Sequence, residues 1–287
     1  MGTVRRLAFS ALALQVVLVV TGTAVRVTGS GLGCPTWPRC TGGSLTNTAE
    51  LGVHGYIEFG NRLLAVVMEA IGIWLVVAVR RSHPEWTRLA LVQAAVVPLQ
   101  AVIGGLLVLS GLNPYVLIIH FLTSFPLVFA GAALLRRVLD VADPNPLAGR
   151  LAAATVAAVS LVLVVGTLVT GTGPHAGDPK VDRLPFNPRD LTQLHADVAY
   201  LLLGLVVALL VVSRSRWAWL LLGLVIAQGV VGYTQYFNGV PPLLVGIHVA
   251  LATLVFTTAS WLLLLARSPL RTAPQTPARA AGTVTAP

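Results

Sequence analysis

Eight runs of about twenty mostly apolar residues leave this chain few ways to fold, because a segment in hydrocarbon must satisfy every backbone N–H and C=O within itself. The runs are Leu7 to Val27, Tyr56 to Val79, Leu89 to Leu109, Tyr115 to Leu135, Leu151 to Thr170, Leu194 to Val212, Trp217 to Tyr236 and Leu243 to Ala266. Only 10% of the residues are charged and 56% are hydrophobic, against roughly 25% charged in an ordinary soluble domain. The expectation is an all-α polytopic membrane protein of eight transmembrane helices. The first run follows Arg5 and Arg6 as a signal peptide would, but it continues into Gly22 to Thr28 with no Ala-x-Ala pattern behind it, so it reads as a retained helix.

A formal charge of +9 raises the question of a polyanionic partner, and the placement of the basic residues answers it. With the N-terminus in the cytoplasm, thirteen of the nineteen fall on the inner side: Arg5, Arg6, Arg80, Arg81, Arg88, Arg136, Arg137, Arg150, Arg214, Arg216, Arg267, Arg271 and Arg279. That bias is the positive-inside pattern, so the charge reports topology in a lipid bilayer and no nucleic-acid partner is expected. Both termini are then cytoplasmic, and the Pro-, Ala- and Thr-rich tail 268–287 reads as disordered. Two long loops, Gly29 to Gly55 and Gly171 to Asp190, lie on the outer side. The first holds the only two cysteines, Cys34 and Cys40, on the oxidising face and close enough to form a disulfide. They read either as a loop staple or as a redox-active pair.

The chain also repeats itself. A shift of 128 residues lays Gln100, Gly104, Pro114 and His120 onto Gln228, Gly232, Pro242 and His248, and Val27 to Gly31 resembles Val169 to Gly173. The expected organisation is two four-helix bundles, 1–140 and 141–267, which share one orientation because each contains an even number of spans.

Polar residues inside the spans carry the chemistry, since burying them in hydrocarbon is costly. His120, His195 and His248 lie in the outer parts of the fourth, sixth and eighth spans. His195 and His248 place one imidazole on each of two spans at matching depth, which suits axial ligation of a haem iron. A zinc or copper site is the weaker reading, because that half offers no third His or Cys. In the second span the position equivalent to His195 is Asn61, with Glu58 and Arg62 on the same helical face. An ion pair between Glu58 and Arg62 is the structural reading of that cluster. Glu69 lies further along a similar face and has no assigned role.

Taken together, Thr28-Gly29-Ser30-Gly31-Leu32-Gly33-Cys34-Pro35-Thr36-Trp37-Pro38-Arg39-Cys40, the Glu58 to Arg62 cluster, the His-bearing even-numbered spans and Gly173-Pro174-His175-Ala176-Gly177-Asp178 resemble the haem A synthase family over about residues 5 to 266. Members of that family oxidise the C8 methyl of haem O to a formyl group, giving the haem A of terminal cytochrome oxidases. The resemblance implies a haem b cofactor on His195 and His248, and substrate haem near His120; by placement alone, Asn61 and Arg26 are further candidates at that haem, Arg26 for a propionate. It also implies Glu58 and Arg62 as catalytic residues. Its expected setting is a bacterial plasma membrane, with haem O synthase, cytochrome oxidase assembly proteins and an unidentified electron acceptor as partners. One residue departs from the pattern: the family's second span commonly reads Glu-x-x-His-Arg, and here Asn61 replaces the histidine. His120 is then the one evident intramembrane ligand of that half, with His54, seven residues before Asn61, as a candidate substitute.

A di-haem cytochrome b relaying electrons from quinol is the runner-up, but its expected mark is two matched His pairs. A transporter ranks last, because no discontinuous helices are evident at equivalent midplane positions.

Overall fold

The computed structural model describes residues 2–175 and 181–267; the tail read as disordered, with Arg271 and Arg279, and the stretch 176–180 lie outside the described residues. Nine α-helices follow in order: α1 (Gly2–Val27), α2 (Gly52–Ser82), α3 (Thr87–Leu109), α4 (Pro114–Leu122), α5 (Ser124–Leu139), α6 (Pro146–Thr172), α7 (Pro188–Ser213), α8 (Arg216–Phe237) and α9 (Pro242–Arg267). Counting α4 and α5 as one, they form eight spans long and apolar enough to cross a membrane. No strand occurs among the described residues. This is a multi-pass, all-α membrane protein.

Helix starts are written in local chemistry. Three helices begin with Asn followed by Pro, at Asn113-Pro114, Asn145-Pro146 and Asn187-Pro188. Each Asn side chain accepts from a backbone N–H of the first turn, while Pro occupies a position whose N–H would have no partner anyway. Ser215 caps α8 in the same manner. At the other ends, Arg80 and Arg81, Arg136 and Arg137, and Arg267 fall in the last turns of α2, α5 and α9, where cations meet the negative end of the helix dipole.

Helix neighbours run in the same order in the two sets. In the first, α1 packs on α2 and α5, and α3 on α2, α4 and α5; in the second, α6 packs on α7 and α9, and α8 on α7 and α9. Each set encloses its own apolar core, one around Met68, Leu75 and Leu134 and one around Val206, Leu209 and Leu221. The sets join where α9 meets α1 and α5 and where α4 meets α6. Outward-facing residues such as Val66, Trp74, Val211 and Val230 are more than half exposed, as suits a surface solvated by acyl chains.

The fourth span departs from the sequence expectation. Tyr115 to Leu135 reads as one continuous helix, but the structure breaks it at Thr123 into α4 and α5. Pro126 lacks the N–H that would bond the Leu122 carbonyl, and the Thr123 hydroxyl bonds back to the Ile119 and His120 carbonyls. Pro98 sits within α3 without ending it.

Deep in the first set, the fully buried Gln15 of α1 donates through its side-chain amide to Gln93 Oε1 of α3. Gln93 in turn donates to the Leu127 carbonyl at 3.5 Å, so the pair ties α1, α3 and α5 together. Gln93→Leu should lower stability by about 1–3 kcal/mol, because it strands the Gln15 amide, and adding Gln15→Leu should recover most of that loss. Thermal unfolding in detergent, read across the two single variants and the double, checks both signs.

Candidate functional site

Three intramembrane histidines each lie on a glycine of a neighbouring helix. A Cβ added at Gly104 of α3 would come within 3.2 Å of the His120 ring, one at Gly166 of α6 within 3.0 Å of His195, and one at Gly232 of α8 within 3.2 Å of His248. Any side chain at these glycines would therefore push the imidazole away. Small residues let helices and their ligands approach closely in a membrane. The pairs Gly104–His120 and Gly232–His248, 128 residues apart in sequence, make the same glycine–imidazole contact.

His195 and His248 meet across the second set, with ring centroids 6.2 Å apart and planes inclined by 54°. Nitrogen–metal bonds of about 2 Å on either side, plus half a ring at each end, add up to roughly that span. The Nδ1 atoms of His120, His195 and His248 are all shut off from solvent with no hydrogen-bond partner among the described residues; the Val162 carbonyl of α6 faces the His195 ring. A stranded buried nitrogen costs about 1–3 kcal/mol. The two without any facing carbonyl, on His120 and His248, mark positions built to engage something else. No cluster of three or more His, Cys, Asp or Glu that could hold a bare metal ion occurs among the described residues, so a two-imidazole ligand set with the remaining ligands supplied by a macrocycle is the arrangement these side chains fit.

The first set is roofed by the loop between α1 and α2. Cys34 and Cys40 form a disulfide, and both are fully buried. Glu58 of α2, 6% exposed, accepts the Cys34 backbone N–H at 2.7 Å through Oε2 and pairs with Arg62 through Oε1. Arg62 spreads its remaining donors over the carbonyls of Cys34 (3.1 Å) and Thr36 (3.1 Å). The expected Glu58–Arg62 ion pair is therefore present, and it also grips the disulfide loop. Trp37, at the loop's tip, lies flat on Gly105, where an added Cβ would fall 2.4 Å from its ring. Consecutive glycines of α3 thus seat an imidazole from α4 and an indole from the loop.

Other sequence candidates land nearby with different partners. Asn61 accepts a hydrogen bond from the Thr21 hydroxyl of α1 at 2.7 Å. His54 lies in the first turn of α2, which begins at Gly52, so the early helix start that its substitute role needs is present. Its Nδ1 bonds the buried Ser30 hydroxyl at 2.9 Å. Arg26, in the last turn of α1, has its Nε shut off from solvent with no partner among the described residues, which suits an arginine awaiting an anionic group. His175 bonds the Val240 carbonyl at 2.7 Å and ties the second outer loop to the start of α9. His83 stacks on Trp86 at the opposite end of α2, away from these residues. Sequence reasoning missed Trp37, Gln100 and Ser124 as site residues. Gln100 and Gly104 carried a signal, because they recur with His120 in the internal repeat.

Residues 5–178 match the family model described as cytochrome oxidase assembly protein (COX15-CtaA). The chain belongs to that family. The matched stretch holds the disulfide loop, Glu58, Asn61, Arg62 and His120, while His195 and His248 lie beyond it. Among curated relatives, the chain is 32% identical to "Heme A synthase" of Staphylococcus epidermidis over 115 residues, 38% of this chain and 37% of that protein. It is 31% identical to "Heme A synthase" of Geobacillus kaustophilus over 110 residues, 36% and 33% of the two chains. To the Listeria welshimeri protein of the same name it is 31% identical over 134 residues, 44% and 42%. The chain thus spans between one third and about two fifths of the length of these relatives.

If Glu58 and Arg62 clamp the loop of this family member, Glu58→Leu should free the Cys34 amide. Its hydrogen–deuterium exchange should then rise by about tenfold or more, since one buried charge-assisted bond is worth about 1.5–3 kcal/mol. Glu58→Gln, which keeps an acceptor for that amide, should give a smaller rise.

Proposed function

We propose that this chain is a haem A synthase: it oxidises the C8 methyl of haem O to a formyl group, with the electrons leaving through a haem b held in the second four-helix set. The observation that carries this is the pairing of two unlike sites in one family member. One has two facing imidazoles, and the other has a single intramembrane imidazole beside a roofed carboxylate–guanidinium pair. On this reading residues 1–140 form the substrate half and residues 141–267 the cofactor half.

His195 and His248 would hold the haem b, which supplies one-electron chemistry when bound. Gly166 and Gly232 keep the adjoining helix faces clear for the two imidazoles. In the substrate half His120 would hold the iron of haem O, with Asn61 at the position that corresponds to His195 of the other half. The Thr21 hydroxyl already engages the Asn61 carbonyl oxygen, so that position is left without a second strong ligand. Arg26 would receive a propionate.

Written with water as the oxygen source, conversion of a methyl to a formyl group releases four electrons and four protons. Glu58 is the group to hold or pass a proton at that edge, with Arg62 balancing its charge. The disulfide loop and Trp37 would exclude bulk water from the reacting methyl. Cys34 and Cys40 are the staple of that roof. The orientation with both termini in the cytoplasm of a bacterial plasma membrane follows the distribution of arginines and puts both haem sites in the outer leaflet. Haem O synthase and cytochrome oxidase assembly proteins would be the source of substrate and the destination of product, and the electron acceptor would be a separate partner.

Expression in a host lacking its own haem A synthase tests the proposal. Extracted haem should contain haem A, and Glu58→Gln should lower the haem A to haem O ratio by about a hundredfold, the scale of a lost acid–base group. His195→Ala or His248→Ala should abolish the low-spin haem spectrum of the purified protein. Haem O recovered unchanged from cells making the wild-type chain would rule the activity out.

A further inference from the structure

Gln100 of α3 reaches across to the break in the fourth span. Its side-chain amide donates to the His120 carbonyl at 3.2 Å and to the Ser124 hydroxyl at 3.0 Å. The Ser124 and Thr123 hydroxyls lie 3.4 and 3.1 Å from the same carbonyl. A helix interrupted in hydrocarbon exposes carbonyls that nothing in the lipid can satisfy, and here three side chains converge on the one belonging to His120. Beside the break an apolar groove of about 420 Å³ opens to the surface, lined among others by Leu122, Phe125, Pro126, Val156, Leu163 and Phe256. The short α4, nine residues long, therefore ends at a joint whose far side is loosely packed.

The other half supplies an internal control. Gln228, Gly232 and His248 stand where Gln100, Gly104 and His120 stand in the first half, but Thr123, Ser124 and Pro126 become Leu251, Ala252 and Leu254. There α9 runs unbroken from Pro242 to Arg267; the Oε1 atoms of Gln100 and Gln228 alike are shut off with no partner among the described residues, so the halves differ at the joint and not in that atom. The Gln–Gly–His set occurs in both halves; the residues that make a joint occur in one. Hinges of this kind use a few positions at element ends to absorb the change in backbone angles.

We propose that Gln100 is a positioning residue for His120. By holding the carbonyl opened at the joint, it sets the imidazole on α4, while the joint itself lets α4 swing so that the first half takes up and releases its haem. The histidine on the continuous α9 stays fixed. This rests on the reading of His120 as the ligand of an exchangeable substrate haem.

The test uses the full chain in lipid nanodiscs, loaded with haem O and haem b and mixed with excess apomyoglobin as a soluble haem acceptor, with transfer followed by absorbance. Wild type should show a fast-transferring fraction and a slow one, and His120→Ala should lose the fast fraction alone. Ser124→Ala/Pro126→Leu, which copies the continuous span of the other half, should slow the fast phase by about tenfold or more, since it restores the backbone donor that proline lacks. Gln100→Leu should instead accelerate it by about tenfold and alter the absorption and electron-spin-resonance spectrum of that fraction, while the slow fraction keeps its low-spin signature. The unchanged slow fraction also shows that each variant has folded. Fast phases of wild-type rate and spectrum in both variants, with His120→Ala still lacking that phase, would overturn the joint and leave the site reading intact. A fast phase that persists in His120→Ala would overturn the site reading and the joint with it.

Discussion

Inside a bilayer a backbone N–H or C=O can turn only to the protein, and this requirement organises the whole molecule. Seven of its eight spans meet it with uninterrupted α-helix. Two places do not, and both recruit polar side chains that would otherwise be out of place in hydrocarbon. At the outer mouth of the first set, the amide and carbonyls of the disulfide loop are received by Glu58 and Arg62. At Thr123 the freed His120 carbonyl is received by Gln100 and two hydroxyls. These polar residues of the first set are thus first of all partners for irregular backbone.

The same economy explains the glycines. An imidazole lying along a neighbouring helix needs that helix to have no side chain at the contact, and Gly104, Gly166 and Gly232 provide three such clearings. Trp37 uses a fourth, at Gly105. Mobility is not the issue at these positions, since each lies within a regular helix. Space is. A methyl group at any of the three histidine seats would displace the ring by several tenths of an ångström or force the helices apart, which close-packed interiors tolerate poorly.

Much of this was legible in the residues. Span count follows from length and apolarity alone, and the disulfide from two cysteines in one short loop; the Asn-Pro pairs that start α4, α6 and α7 put those starts one to six residues before the apolar runs begin. The seats of His120 and His248 are foreshadowed by Gly104 and Gly232 recurring with them. The break in the fourth span was not legible, and Pro98 shows why: it stands in an equally apolar run and α3 continues through it. What differs at Thr123 is the company of Ser124, Pro126 and a glutamine on another helix twenty-odd residues earlier, a long-range relation that no local pattern displays. The grip of Arg62 on loop carbonyls was hidden for the same reason, because a guanidinium four residues after a carboxylate accounts for itself as an ion pair. Glu69 remains unexplained, and nothing in the structure accounts for its stranded carboxylate oxygen.

The two halves then differ in the way their proposed tasks demand. A resident electron carrier gains from ligands that do not move, because reorganisation around the iron opposes electron transfer in either direction, and two imidazoles on continuous helices, each backed by a glycine seat, provide that. A substrate has to arrive and leave, so the strength of its grip cannot be maximised without trapping the product. Asn61, already engaged by Thr21, removes one strong ligand from that grip, and a jointed α4 loosens the other. The asymmetry therefore lies in two substitutions of kind: a histidine absent from the second span and a helix interrupted in the fourth. Each weakens hold on the same side of the molecule, under a roof that the Glu58–Arg62 pair keeps closed over whatever is bound there.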